Sequence, residues 1–271
     1  MLRWVDGRPQ QTLSVTDRGL AYGDGLFETI GVKHGRPQLL ERHLTRLADG
    51  CQRLAIAIDL SVIRAELLAF AAEMGEGVAK LVLTRGEGLR GYAAPTEVKP
   101  VRILLASPAP AYPAGHAEHG ISLFPCVTRL AEQPLLAGLK HLNRLEQVLA
   151  RSEWQGSEHA EGLMCDLSGH VIEGVFSNLF LVRDGVLITP DLSRSGVAGV
   201  MRAELLAQAD ALGIPVLIQA VSEAQLFAAD EVFFCNSLYG VWPVTALQGH
   251  RWPAGPLTRK LQRIARDLLD C

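Results

Sequence analysis

The chain has 271 residues, 48% hydrophobic and 20% charged, enough for a sizeable core at a length where one domain commonly becomes two. At a net charge of −3, with no basic cluster, no apolar run near the ~20 residues of a membrane span and no apolar leader in Met1-Leu-Arg-Trp-Val-Asp-Gly, the sequence argues against nucleic-acid binding, membrane insertion and secretion. The five cysteines (Cys51, Cys126, Cys165, Cys235, Cys271) are odd in number and scattered without a CxxC, so they are expected as reduced thiols of a cytoplasmic protein, with no disulfide framework and no metal site.

A strand is predicted from Phe27 to Lys33, closed by the turn His34-Gly35-Arg36-Pro37 and followed by a short strand over Gln38–Leu40. A helix follows in which Leu40, Leu44, Leu47, Cys51 and Leu54 form one apolar stripe, then a second helix over Ser61–Met74. Strands are predicted at Val78–Thr84 and Val101–Ala106. Ser107-Pro-Ala-Pro-Ala-Tyr-Pro-Ala-Gly cannot continue a helix or a central strand, so the domain boundary is placed there: residues 1–106, a linker at 107–117 and residues 118–271. The second half opens with a strand at Ile121–Val127 and a helix at Leu142–Trp154 that carries Leu142, Leu145, Val148 and Leu149 on one face. A meander follows: Gly162–Asp166, Val171–Phe176, Leu179–Val182 and Val186–Thr189. A helix from Val200 stops at Gly213, a good residue just past a helix end. Strand Val216–Gln219, a short helix capped by Ser222 with Gln225 three later, strand Glu231–Cys235 and a last helix over Leu257–Leu269 complete the pattern. Helices and strands mix in both halves, which predicts two α/β-type domains with a cleft between them.

Several residues are candidates for chemistry. Lys140 precedes a helix among apolar neighbours, where a desolvated amine has a lowered pKa and can condense with an aldehyde; a solvated surface lysine is the alternative. Period two places Glu173 with Val171 and Val175 on one strand face, where a buried carboxylate needs a cation or several hydrogen bonds; an edge strand with that face in water is the alternative. Ser195-Gly-Val-Ala-Gly-Val-Met-Arg202 brings two glycines to a helix start, a geometry that suits phosphate. Asn236-Ser237 follows a strand end, as a polar site or an ordinary turn. Arg46 lies beside the apolar stripe of its helix, three residues after His43, able to reach a phosphate or to form a surface salt bridge. Thr29 closes the glycine-punctuated run Tyr22-Gly-Asp-Gly-Leu-Phe-Glu-Thr29.

Taken in order, Phe27-Glu-Thr29, His43-x-x-Arg46-Leu47, Lys140, Glu173-Gly, Gly196-x-x-Gly199 and Asn236-Ser237 resemble the fold-type IV pyridoxal-phosphate enzymes across almost the whole chain. That family includes branched-chain and D-amino-acid aminotransferases and the aminodeoxychorismate lyases. The segment Lys140-His-Leu-Asn-Arg-Leu-Glu-Gln-Val-Leu-Ala-Arg151 resembles the lyases, which convert 4-amino-4-deoxychorismate to 4-aminobenzoate and pyruvate. The resemblance implies a two-domain α+β or α/β fold of the D-amino-acid-aminotransferase type, with pyridoxal 5′-phosphate in the interdomain cleft and a homodimer as the assembly. It implies that Lys140 binds the cofactor covalently and moves the substrate proton, and that Glu173 pairs with the pyridine nitrogen. Arg46, the N–H groups of Val200 and Met201, and Asn236 and Ser237 would hold the phosphate, and Thr29 would relay a proton. Some relatives have a tyrosine five residues after the lysine, on the cofactor's 3-oxygen, where this chain has Leu145. For the dicarboxylate substrate the candidates are Arg90 and Tyr92, in the loop Thr84-Arg-Gly-Glu-Gly-Leu-Arg-Gly-Tyr92. The rival readings are an aminotransferase of the same fold acting on D- or branched-chain amino acids, and a non-catalytic protein that carries the cofactor.

Overall fold

The protein, as a computed structural model, is described over residues 2–88, 90–97 and 99–270. Met1, Leu89 of the arginine loop and Cys271 of the cysteine set lie outside the described residues. The chain divides into two compact units: residues up to Pro110 together with Leu139–Asn143, and Ala111–Gly138 together with the chain from Arg144 onward. Residues 139–143, expected inside the C-terminal domain, therefore pack with the first unit.

The first unit holds β1 (Arg3–Val5), β2 (Arg8–Pro9), α1 (Arg18–Tyr22), β3 (Gly25–Lys33), β4 (Arg36–Pro37), α2 (Leu40–Arg53), α3 (Leu60–Met74), β5 (Gly77–Thr84) and β6 (Val101–Ser107). Its sheet runs β2-β1-β6-β5-β3-β4 and is antiparallel throughout. His34 and Gly35, both at positive φ, make the two-residue turn between β3 and β4. The expected short strand at Gln38–Leu40 thus lies two residues earlier, because Arg36 and Pro37 pair with Lys33 and Val32. Alternation along β3 decides the layering. Leu26, Glu28, Ile30 and Val32 are buried, as are Leu83, Leu81 and Ala79 opposite them on β5. The buried side chains of α2 (Leu44, Leu47, Cys51) and α3 (Ile63, Leu67, Phe70) complete this core. A methyl on Gly50 of α2 would fall 2.7 Å from Leu26 Cδ1, so the helix lies close to the sheet at the cost of a glycine in its interior. The other sheet face stays half-buried at Phe27 and Thr29 and exposed at Lys80, which is paired directly with Thr29.

The second unit holds α4 (Gly115–His119), β7 (Ile121–Leu130), α5 (Leu145–Ser152), β8 (Glu161–Asp166), β9 (Val171–Gly174), β10 (Asn178–Arg183), β11 (Val186–Pro190), α6 (Val200–Ala211), β12 (Val216–Gln219), α7 (Glu223–Phe227), β13 (Glu231–Asn236), β14 (Gly240–Leu247), β15 (His250–Arg251) and α8 (Pro256–Asp270). The strands β10-β13-β14-β7-β8-β9 form a ring. β7 is parallel to both its neighbours, and the ring closes where β9 meets β10 through the single pair Glu173 and Asn178. Further along β10, Leu181–Arg183 pair instead with β11, which β12 extends in parallel. Leu179, Leu181, Val232 and Phe234 join one core cluster with Leu123, Val171, Trp242 and Val244. On the opposite face of β10 and β13, Phe180 and Phe233 stack at 5.0 Å and are fully buried.

Two of the differences from the sequence-based expectation in this unit have a clear physical cause. The strand β14 was hidden by Pro243, a residue that central strands rarely tolerate, although its apolar run sits between β13 and β7. The helix expected over Leu142–Trp154 is shorter, Leu145–Ser152, because Lys140 and Leu142 give their backbone bonds to β3 instead. The face of that helix carrying Leu145, Val148 and Leu149 is exposed. Replacing Phe180 with alanine is expected to destabilise the protein by about 3–5 kcal/mol, read as a lower urea midpoint at constant slope. A loss below about 1 kcal/mol would show that this stacked pair is not part of the cooperative core.

Candidate active site

In the first unit the site is built on β3. Phe27 N–H donates to Lys140 O at 2.9 Å and Leu142 N–H to Gly25 O at 3.0 Å, so residues 140–142 lie as a short antiparallel edge beside the strand's start. This backbone clamp fixes Lys140, whose Nζ sits 4.5 Å from the centre of the Phe27 ring. The lysine is half-buried, so the picture of a solvated surface amine does not hold. Thr29 follows two residues along the same face.

On the reverse of that strand Glu28 is almost completely buried. Its carboxylate meets His43 Nδ1 at 2.5 Å and accepts from Arg46 Nε at 2.8 Å, with Arg46 Nη2 on its second oxygen. Burial alone would raise the Glu28 pKa; the Arg46 charge and the His43 hydrogen bond outweigh it and hold the carboxyl at about 2. Burial pushes His43 below the ordinary histidine value, and its Nε2 has no hydrogen-bond partner among the described residues. His43 is therefore a neutral, structural imidazole at pH 7. Arg46 turns at least two of its nitrogens to a carboxylate of its own chain. The sequence carried this signal: Glu28 alternates with Leu26 and Ile30 on an apolar face, and His43 and Arg46 stand three apart on the facing helix.

In the second unit Glu173 is buried in β9, which is paired on both sides, so the alternative of an edge strand in water is excluded. Its Oε2 accepts from Val197 N–H at 2.8 Å and lies 3.5 Å from Asn178 Nδ2, which also donates to Val197 O at 2.8 Å. The glycines here have steric reasons. Gly196 sits at φ +83°, and a side chain on Gly199 would strike Asn178 Oδ1 at 1.9 Å. Gly199 starts α6 with no side-chain cap, and the first-turn N–H groups of Val200 and Met201 have no partner within the helix. Gly138, two residues before Lys140 in sequence, exchanges two backbone hydrogen bonds around Val197. Asn236 closes its own turn, accepting from Leu238 and Tyr239 N–H, and Ser237 follows half-buried.

The sequence reading also missed a half-buried arginine and a buried carboxylate. Arg144, four residues after Lys140, is held below the ordinary arginine value by burial, against the pull of Glu173 and Glu146. Glu161, fully buried, accepts N–H bonds from Gly162, Val175 and Phe176 and a hydroxyl from Ser177; its burial outweighs them and raises its pKa to about 8. The loop residues Arg90 and Tyr92 are both exposed in the first unit. No group of His, Cys, Asp and Glu among the described residues could hold a metal ion.

A family model for class IV amino-transferases matches residues 25–247. The chain is 39% identical over 265 residues to an aminodeoxychorismate lyase of Vibrio harveyi, covering 96% of this chain and 97% of the relative. A solved structure of 4-amino-4-deoxychorismate lyase from Pseudomonas aeruginosa superposes with a TM-score of 0.98 at 66% identity over 100% of both chains. The branched-chain amino acid aminotransferase of Escherichia coli superposes at 0.84 with 25% identity, over 99% of this chain and 94% of the other.

The Glu28 carboxyl gives a pH test. Its folded pKa of about 2 lies below the ordinary 4.5, so it stabilises the fold above pH 4.5 and that contribution is lost as pH falls towards 2. The contribution is on the order of 3 kcal/mol. Glu28→Gln is expected to lose this much at pH 7 and to flatten the acid limb of the stability profile below pH 4.5, measured by denaturant titrations. An acid limb identical to wild type would show that Glu28 is not the group responsible.

Proposed function

The chain belongs to the class IV amino-transferase family, and from that premise we propose that it is a pyridoxal-phosphate-dependent aminodeoxychorismate lyase, converting 4-amino-4-deoxychorismate to 4-aminobenzoate and pyruvate. The observation that carries the reading is the similarity to the Pseudomonas aeruginosa lyase over the full length of both chains, with Lys140 pinned by its backbone beside Thr29 on β3.

The residues suit the cofactor. Lys140 offers a half-buried amine for its aldehyde. Glu173 offers a buried carboxylate to the ring nitrogen, already oriented by the Val197 N–H. The uncapped start of α6 offers the N–H groups of Val200 and Met201 to the phosphate, to which Arg46, Asn236 and Ser237 are also assigned. Pyridoxal phosphate, when bound, supplies a covalent link to the substrate amine and a protonated ring that draws electrons from the adjacent carbon.

Lys140 would take the proton from C4 of the substrate. Glu173 keeps the ring nitrogen protonated. The C3–oxygen bond to the enolpyruvyl group then breaks and the substrate ring becomes aromatic. Thr29 relays the proton that Lys140 took from C4 to the departing methylene, which completes pyruvate and leaves both groups as they began. Arg90 and Tyr92 meet the substrate's carboxylates. No second keto acid is consumed, which separates this reaction from a transamination.

We assign the chain to the cytoplasm and to a homodimer. The four described cysteines are buried and unpaired, which suits a reducing compartment, and no helix among the described residues is long and apolar enough to cross a membrane. The exposed Leu145, Val148 and Leu149 of α5 are an apolar face of the kind a second copy covers.

Purified protein is expected to show an absorbance band of lysine-bound cofactor and to release 4-aminobenzoate and pyruvate in equal amounts. Lys140→Ala should abolish both the band and turnover. Glu173→Gln should keep bound cofactor while kcat falls at least about 100-fold. Bound cofactor with keto-acid-dependent amine transfer, and no 4-aminobenzoate, would assign the chain to the aminotransferases instead. Val148→Glu combined with Leu149→Glu should move the protein to monomer in sedimentation velocity; a monomeric wild type would dispose of the homodimer.

A further inference from the structure

We propose that Arg18 is a positioning residue for substrate binding: it straps the loop between β5 and β6 so that Arg90 and Tyr92 are presented to the substrate's carboxylates. The inference rests on the lyase reading above, which supplies the dicarboxylate.

Arg18 belongs to the five-residue helix α1, and it is 4% exposed. An arginine that deeply buried must have its donors satisfied. Its Nε donates to Asp24 at 2.9 Å, and its terminal nitrogens donate to the backbone carbonyls of Gly91 at 3.0 Å, Tyr92 at 2.9 Å and Ala93 at 3.2 Å. One planar guanidinium thus holds three consecutive carbonyls of an otherwise irregular loop. One turn later on the same helix face, Tyr22 accepts the Gly91 N–H at 3.3 Å and packs its ring 5.5 Å from that of Tyr92.

The near side of the loop is sewn to the same segment. Arg18 N–H donates to Gly86 O, and Gly88 N–H to Thr16 O. Asp17 caps α1 while accepting the Thr84 hydroxyl at 2.6 Å. Gly88 lies on the aliphatic part of Arg18, where a Cβ would come within 2.8 Å of Cδ, and Gly91 sits at φ +109°. The glycines of this loop are the residues that let it fold down on Arg18.

The same contacts separate the arginines by role. Arg85 spends its guanidinium on Asp24, Ala55 O and Leu54 O. Arg18 spends its own as described. Both share Asp24: burial would raise that carboxyl, and the hydrogen bonds from Arg85 and then Arg18 hold it below the ordinary aspartate value. Arg90, two residues after Gly88, is exposed on the strapped loop. Arg18 and Arg85 build the platform, and Arg90 is the cation it displays. Lysine cannot replace Arg18, because an ammonium has three donors and no planar fork to span three carbonyls and a carboxylate.

The test compares wild type, Arg18→Lys, Arg90→Ala and the double variant as holoenzymes, with Gly88→Ala as a second way to lift the loop from Arg18. Each is measured for kcat and KM towards 4-amino-4-deoxychorismate, for cofactor absorbance and for tryptic cleavage after Arg90 under native conditions. Arg18→Lys is expected to raise KM about tenfold with kcat within about threefold and the cofactor band unchanged. Cleavage after Arg90 should be faster in Arg18→Lys and Gly88→Ala, and the KM effect of the double variant should be smaller than the two single effects combined. Unchanged KM in Arg18→Lys, or additive effects in the double variant, would overturn the inference while leaving the lyase reading intact. Loss of the cofactor band with KM and kcat falling together would make Arg18 merely structural. A wild type that releases no 4-aminobenzoate overturns the lyase reading, and Arg18→Lys cut no faster than wild type removes the strap whatever the substrate.

Discussion

The ring of strands in the second unit closes through one residue pair, Glu173 opposite Asn178, and one member of that pair is a buried carboxylate. Placing a charge at the closure constrains everything around it. An unpaired carboxylate there would cost several kcal/mol, so donors must be brought to it. The Asn178 amide and the Val197 N–H are those donors, and Asn178 also fixes Val197 through its carbonyl. To bring a backbone N–H that close, the chain on either side must lack side chains, which accounts for Gly196 and Gly199. Because Gly199 starts α6, the requirement that satisfies Glu173 also leaves a helix start bare of a side-chain cap. A buried, hydrogen-bonded carboxylate and an uncapped helix start are thus products of one packing solution.

The first unit solves a similar problem with charge instead of backbone. Glu28 is as buried as Glu173, but a two-nitrogen contact from Arg46 and a histidine compensate it. Such a pair earns little net stability over an apolar core, since desolvation consumes most of the attraction. It does fix geometry: the planar guanidinium and the carboxylate lock α2 to β3 in one register, and β3 carries Phe27 and Thr29 on its other face. The backbone clamp between β3 and residues 140–142 then sets Lys140 against that same face. Positional accuracy at Lys140 comes from backbone pairing with a strand, which places a residue more precisely than a loop does.

How much of this was legible depended on the range of the signal. Glu173 could be read because period two exposed it within five residues, and the capping pair Ser222 and Gln225 forms the box its spacing announced. Glu28 sent the same signal, but its partners His43 and Arg46 stand on a separate helix, so the local pattern did not pair them. Arg46 was expected at a phosphate; its contacts with Glu28 depend on pairing β3 with α2, which no local pattern encodes. Arg18 was invisible for the same reason, since three of its side-chain partners lie more than seventy positions away at Gly91, Tyr92 and Ala93. Pro243 suppressed a central strand. The stripe of Leu145, Val148 and Leu149 was read correctly as one face, yet periodicity cannot say whether a face meets its own core or another molecule.

The shared framework also limits where the choice of reaction can reside. The Escherichia coli branched-chain aminotransferase has the same fold at 25% identity, so strand order and helix placement are common ground between a transaminase and the lyases. What remains is chemistry on the half-buried face of β3 and in the loops. There the register places the Thr29 hydroxyl directly beside Lys80, whose amine lies 5.1 Å from the Phe27 ring on which Lys140 also rests. A hydroxyl and two amines around one aromatic ring form a polar patch that a fold alone does not require. Lys80 is exposed and Lys140 half-buried, so the two amines flank one ring from unequal surroundings.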